Sequence, residues 1–265
     1  LDIYAGVDFV SQYVSRGLVF VDEPSVQPWV ELDFEIPTHG DEGDAIEGVS
    51  WFVGNWNSIS ENDPTPGLAR TGAAATLDNW YEADVYTGVR VSWRGGVQTS
   101  LRFNWYTSPS DAFNQIQELD FRIAYDDSSF WSETVELENF SVTPRLRVAQ
   151  ETRDSGGPEQ LYVSPQLTPS FTIEGFATKP TVKIPLVFGF GADGQYIERD
   201  TGDEAHFGFF QTGVGVDLPL DVLGEGSGAL TLSASFDVII LSDEDLGADD
   251  DTVETVVRVG LTYAF

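Results

Sequence analysis

Five arginines, Arg90, Arg102, Arg122, Arg145 and Arg147, recur at one parity of four successive segments in which polar and apolar residues alternate. On β-strands a shared parity is a shared face, so the five would form a basic stripe. The same polar parity elsewhere carries Glu31, Asp33 and Glu35, with Asp2, Asp8, Asp237 and Glu254. Two facing walls of opposite charge set up a transverse field, which orders water and aligns zwitterionic or polar solutes. The competing arrangement is mutual neutralisation. Glu82, Asp84, Glu118 and Asp120 share the arginines' parity, and pairing among them would fill a narrow interior.

A second acidic group, Asp243, Glu244, Asp245, Asp249, Asp250 and Asp251, lies between two alternating segments. Of these, Asp243, Asp245, Asp249 and Asp251 are candidate oxygen ligands for Ca²⁺ or Mg²⁺. The spacing is not that of an EF-hand loop, and a solvated acidic loop is the plainer reading. For catalysis the chain offers only His39 and His206 as imidazole bases, no G-x-S-x-G turn and no cysteine. The expectation is a protein without enzymatic activity and without a resident cofactor.

These groups need a scaffold, and composition narrows it. The formal charge of -31 excludes a phosphate-binding surface for nucleic acid. With no cysteine, neither disulfides nor thiolate metal sites are available. No apolar run is long enough to cross a bilayer as a helix. The chain opens on Leu1-Asp2-Ile3, as an exported protein does once its signal segment has been removed.

Alternating segments of about ten to fifteen residues, separated by Gly, Asp, Ser and Pro clusters, recur about twelve times. The first covers residues 1–15. In the second, Val26, Val30, Leu32, Phe34 and Ile36 oppose Gln27, Trp29, Glu31, Asp33 and Glu35. The third is ambiguous in phase, because Trp51 and Val53 compete with Phe52 and Trp56 for the apolar face. In the eleventh, Leu230, Leu232, Ala234, Phe236, Val238 and Ile240 oppose Thr231, Ser233, Ser235 and Asp237. Pro144, Pro165 and Pro169 fall on the apolar parity and predict bulges or strand ends. A soluble sandwich or lipocalin would turn its apolar parity inward and show Lys and Glu outside. The polar parity here is Ser, Thr, Gln, Gly, Tyr and Arg, which suits a wet lumen with lipid outside. Trp80, Tyr81, Trp93, Trp105, Tyr106, Trp131, Tyr196 and Tyr263 stand near segment ends, where interfacial girdles form. Long connections such as 58–78 alternate with short ones such as Arg94-Gly95-Gly96, imperfectly, since 37–47 and 126–134 exceed the length expected of short turns.

The last eight residues, Arg258-Val259-Gly260-Leu261-Thr262-Tyr263-Ala264-Phe265, resemble the C-terminal β-signal of bacterial outer-membrane barrels. Gly260, Tyr263 and Phe265 are the residues that the barrel-assembly machinery would read. At the other end, Gly6-Val7-Asp8-Phe9-Val10-Ser11-Gln12-Tyr13-Val14-Ser15-Arg16-Gly17, then Ser25-Val26-Gln27-Pro28 and Trp51-Phe52-Val53-Gly54-Asn55-Trp56, resembles the TorF-type porin family, with its V-S-x-Y-x-x-R-G motif. The resemblance covers the first quarter of the chain. It implies a bacterial outer-membrane barrel with a transport role and names no substrate.

The expectation is one domain, residues 1–265, folded as an all-β transmembrane antiparallel up-and-down β-barrel of about 12 strands in the bacterial outer membrane. Its partners would be outer-membrane lipid, the assembly machinery and, in an oligomer, further copies of itself. The expected function is passive diffusion of small hydrophilic solutes or ions with a preference for cations. The alternative is a closed barrel that anchors a surface assembly through cation-bridged acidic loops.

Overall fold

A strand that faces lipid on one side and water on the other must alternate apolar with polar residues, and a sheet built of such strands has to close so that no backbone edge meets lipid. The computed structural model of the protein describes residues 1–37, 44–60, 79–153, 159–198, 201–224, 226–246 and 251–265. Within them β1 (Asp2–Val10), β4 (Ser25–Ile36), β5 (Ile46–Ser60), β6 (Trp80–Trp93), β7 (Val97–Thr107) and β8 (Ile116–Tyr125) are six consecutive staves. Three broken staves follow: β9 (Phe140–Ser141) with β10 (Arg145–Arg153), β11 (Leu161–Leu167) with β12 (Ser170–Thr172), and β13 (Thr181–Lys183) with β14 (Leu186–Ala192). The last three are β15 (Phe207–Leu220), β16 (Ala229–Leu241) and β17 (Val253–Ala264). Each stave pairs antiparallel with the next, and β17 pairs with β1, which closes a 12-strand barrel.

The outward parity is apolar: Phe9, Val85, Leu101, Trp105, Phe121, Val214, Phe236 and Val257 are each at least 41% exposed. The inward parity is buried and polar, with Gln27, Asp33, Asn104, Glu118, Asp120, Ser164 and Asp237 among its members. A water-soluble barrel would reverse these faces. Among the described residues no helix is long and apolar enough to cross a membrane. The phase of the third segment is resolved in β5: Phe52 is buried inward, whereas Trp51 is 42% exposed.

The stave breaks have a chemical cause. Pro144, Pro169 and Pro185 stand in the gaps of three neighbouring staves. Proline cannot donate to a ladder, but its carbonyl still accepts. Pro144 O takes the N–H of Tyr125 at 3.0 Å and Pro169 O that of Ile184 at 2.8 Å. Pro165 does not end a strand, since β11 continues through it, paired with Leu146. The long connection after β8 contains a helix, α1 (Ser128–Thr134). Its start is held by Asp127, whose carboxylate accepts the N–H groups of Val142 and Thr143 and the Trp131 indole N–H at 2.7 Å.

One expected strand is not a single strand. The first segment ends as a barrel stave at Val10, and the chain then turns inward into a hairpin, β2 (Tyr13–Ser15) with β3 (Leu18–Val21). Continued alternation would have set Tyr13 on the lipid face; instead it is 8% exposed inside the barrel. Tyr81 and Tyr196, expected in an interfacial girdle, are also buried. Tyr81 packs against Tyr13 with ring centroids 5.8 Å apart, and Tyr196 donates its hydroxyl to the carbonyl of Arg16. Of these aromatics, Tyr81 and Tyr196 serve the hairpin, whereas Trp105 faces outward.

Candidate functional site: the lumen and its inward hairpin

The hairpin turns at Ser15-Arg16-Gly17-Leu18. Arg16 and Gly17 have φ of 53° and 82°, the two positive values that a tight two-residue hairpin turn requires. A Cβ at Gly17 would lie 2.5 Å from the Phe209 ring, so glycine is needed both for its backbone angle and for space. The hairpin is anchored around the wall. Gln12 donates to Glu254 on β17, and the Tyr13 hydroxyl donates to Glu82 on β6 at 2.9 Å. Arg16 forms an ion pair with Glu118 on β8, donates to Gln195, and lies 4.9 Å from the Tyr162 ring centre. Val14 and Leu18 pack against Phe209, Ile239, Leu241, Leu246 and Val256, an apolar cluster inside the barrel. The hairpin crosses the lumen at the end opposite the chain termini.

The expected arginines all lie on the lumen parity, yet they do not form an isolated basic wall. Arg102, Arg122 and Arg147 converge on Asp120 at 3.3, 2.6 and 3.0 Å, and Arg147 also reaches Glu118. Arg90 pairs with Glu31 at 3.0 Å and with Asp33. Glu118 and Asp120 are fully buried, and Asn104 and Tyr106 donate further hydrogen bonds to Glu118. Opposite charges meet across neighbouring staves, although the ladder also sets Arg147 directly across from Arg122. Arg102 stands directly across from Asp120 in the ladder. Arg145 differs: it is exposed and makes no ion pair among the described residues. Glu35 is exposed, Asp237 is buried and accepts from Ser235, and Glu254 holds the hairpin through Gln12.

Between hairpin and wall lies a cavity of about 680 Å³. It runs from Gln160 and Gln195 near the loops to Asp8, Gln211, Asp237 and Arg258 on the far side of the hairpin. Tyr13, Arg16 and Phe20 of the hairpin line it, as do Trp56, Glu82, Asp84, Tyr86, Arg102 and Glu118 of the wall. The sequence pattern had not singled out Tyr13, Arg16 or Trp56 as lumen residues. The signal that locates the hairpin is Arg16-Gly17 itself, a turn-forming pair inside an alternating run.

At the seam, Phe265 and Ile3 exchange both backbone hydrogen bonds, at 2.8 and 2.9 Å. A Cβ at Gly260 would collide with the Asp8 carboxylate, and the Tyr263 hydroxyl donates to Ser227 O. His206 is exposed just before β15, and His39 lies outside the described residues. So do Asp249 and the side chain of Asp245; Asp243 and Asp251 are described. Among the described residues no three His, Asp or Glu side chains gather closely enough to hold a metal ion.

No protein-family model matches the sequence, and no curated protein sequence does. The fold, by contrast, has solved counterparts. It is similar to a bacterial polysaccharide outer membrane secretin at 10% identity, covering 100% of this chain and 97% of that one with a TM-score of 0.52. It is also similar to the β-domain of the Bordetella autotransporter Brka at 14% identity, covering 100% and 99% with a TM-score of 0.50. An outer membrane channel from Pseudomonas putida F1 gives 9% identity, coverage of 100% and 94%, and a TM-score of 0.49. Closed staves, an apolar exterior and the first two of these counterparts define the class: the chain has the fold of an outer-membrane β-barrel. Identities this low carry the fold and no substrate.

Proposed function

We propose that the protein is an outer-membrane channel through which small hydrophilic solutes and ions diffuse passively, with cations preferred. The observation that carries this reading is the cavity of about 680 Å³, lined by charged, amide and aromatic side chains, inside a closed barrel. Its wall ions are largely neutralised in pairs, but carboxylates remain in excess. Among the described residues Glu82, Asp84 and Asp237 line the cavity without a salt bridge, as Arg258 does, whereas Arg16, Arg102 and Arg147 are committed to Glu118 and Asp120. An acidic lining raises the local concentration of cations. The TorF-type resemblance belongs with this reading, because its V-S-x-Y-x-x-R-G motif is the hairpin that narrows the lumen. Export to the bacterial outer membrane, recognition of Gly260, Tyr263 and Phe265 by the assembly machinery, and Ca²⁺ or Mg²⁺ at the Asp243–Asp251 loop are parts of the same proposal.

The test is ion conductance of the refolded protein in a planar bilayer under a KCl gradient. Steady steps with a reversal potential toward that of K⁺ are expected; a reversal potential of zero removes the cation preference. The hairpin's anchorage around the wall favours a second reading, a closed barrel that serves as an anchor. Correctly folded protein without conductance would select it.

A further inference from the structure

The strand register places Asp84 of β6 directly between Trp56 of β5 and Tyr106 of β7. Residues directly opposite on antiparallel strands share a face, with Cβ atoms about 4.5–5.5 Å apart. Glu82 and Tyr86 are its neighbours along β6 on that face, and all five side chains line the lumen cavity. Asp84 is 8% exposed, and its Oδ1 is buried without a hydrogen-bond partner among the described residues. Glu82, 7% exposed, accepts the Tyr13 hydroxyl and touches the Asp84 carboxyl. Two carboxyl groups in contact at such burial share a proton or take a positive charge between or beside them.

The wall does not supply it in full. Arg102 on β7 acts on Asp84, but its ion pair goes to Asp120, its guanidinium covers the Tyr86 ring at 4.7 Å, and its Nε has no hydrogen-bond partner among the described residues. Arg16 and Arg147 are paired with Glu118. A divalent metal takes six to eight oxygen ligands, and no third carboxylate gathers here among the described residues. Aromatic rings flanking a carboxylate instead match an alkylammonium group, whose charge faces the carboxylate and whose carbon atoms lie on the rings.

We propose that Glu82, Asp84, Trp56 and Tyr106 form a binding site for a small organic ammonium ion in the lumen. The site deepens the channel reading and rests on it for its biological role. The carboxyl pair neutralises the ammonium charge, and the indole and phenol flank its alkyl groups. Tyr13 fixes Glu82 from the hairpin side, so the site exists only while the hairpin is seated.

The experiment titrates tetramethylammonium chloride and ethylammonium chloride into the purified full-length protein in detergent, at constant ionic strength, and follows tryptophan fluorescence and heat. KCl is the reference. Saturable binding absent with KCl is expected, weakened about tenfold or more by Asp84→Asn and several-fold by Trp56→Leu. Lys179→Ala, in an exposed turn, should bind as the parent does. Folding of each variant is checked by its heat-modifiable gel mobility; should Asp84→Asn fail to fold, Trp56→Leu and Asp84→Glu carry the test. A response equal to that of KCl, or unchanged affinity in a folded Asp84→Asn or Trp56→Leu protein, overturns the site. Conductance without saturable binding overturns the site alone; saturable binding without conductance overturns the channel reading and leaves the site standing.

Discussion

Arg16 and Glu118 are 102 residues apart in sequence and belong to nearly opposite sectors of the barrel, yet they form an ion pair in which the Glu118 side chain is 1% exposed. A hairpin tip from the seam thereby reaches across the lumen and is fastened to the far wall. Arg147 also contacts Glu118, so Arg16→Ala leaves that carboxylate partly compensated. Removing one partner of a buried pair costs about 3 kcal/mol, and the Arg147 contact makes this an upper figure. The expected result is a lower urea midpoint together with a larger or noisier conductance step. Parent-like values for both would show that the ion pair does not hold the hairpin.

Gly17 tests the hairpin through its backbone rather than its charge. At φ 82° and against Phe209, an alanine meets strain and a collision at once. Gly17→Ala is expected to cost about 1–3 kcal/mol and to weaken seating of the hairpin without removing any polar contact. Limited proteolysis within residues 11–24 should become faster than in the parent, while the rest of the barrel keeps its heat-modifiable mobility. Unchanged cleavage would mean that the turn can rearrange freely.

Asp127 lies outside the crossing strands, in the connection that carries α1. Burial alone would raise its pKa, but hydrogen bonds from the Thr143 N–H, the Trp131 indole and the Val142 N–H outweigh it and hold the carboxyl below its usual range. A depressed pKa contributes stability above the unfolded-state value, about 3.9, and loses it as pH falls through the folded value. Asp127→Asn should therefore lower the urea midpoint at pH 7, with the gap to the parent closing below about pH 4. A gap that stays constant from pH 7 to pH 3 would assign the loss to packing instead.

Where one side chain per position decides its face, the fold is legible in sequence. Strand β16 is such a case, because Leu230 to Ile240 and Thr231 to Asp237 separate without conflict and the structure keeps both faces. The barrel follows from summing such strands. Hidden information begins where a residue answers to something outside its own strand. Trp56 and Phe52 read as lipid-facing by type, yet both turn inward. Trp56 packs at 5.3 Å on Tyr13, and Phe52 lies under the Arg90 guanidinium at 4.8 Å. Tyr13 is concealed in the same way, since its local alternation is that of a stave and only the Arg16-Gly17 turn breaks it. For the arginines, sequence showed the shared face but not the partners. Pairing across strands depends on register, and register emerges only when the sheet closes.

Arg145 and Arg147 share β10 and the lumen face, two residues apart, and differ in their surroundings. Arg147 is paired with both Glu118 and Asp120, whereas Arg145 is exposed and makes no ion pair among the described residues. A free charge contributes its full field to a passing ion, and a paired one contributes a dipole that decays more steeply with distance. Arg145→Ala should therefore move the reversal potential in a KCl gradient further toward that of K⁺ with little change in stability. Arg147→Ala should cost about 3 kcal/mol through the carboxylates it leaves behind, and any gain in cation preference would come with that loss. Equal shifts from both variants at parent-like stability would mean that the wall pairs are open in the membrane.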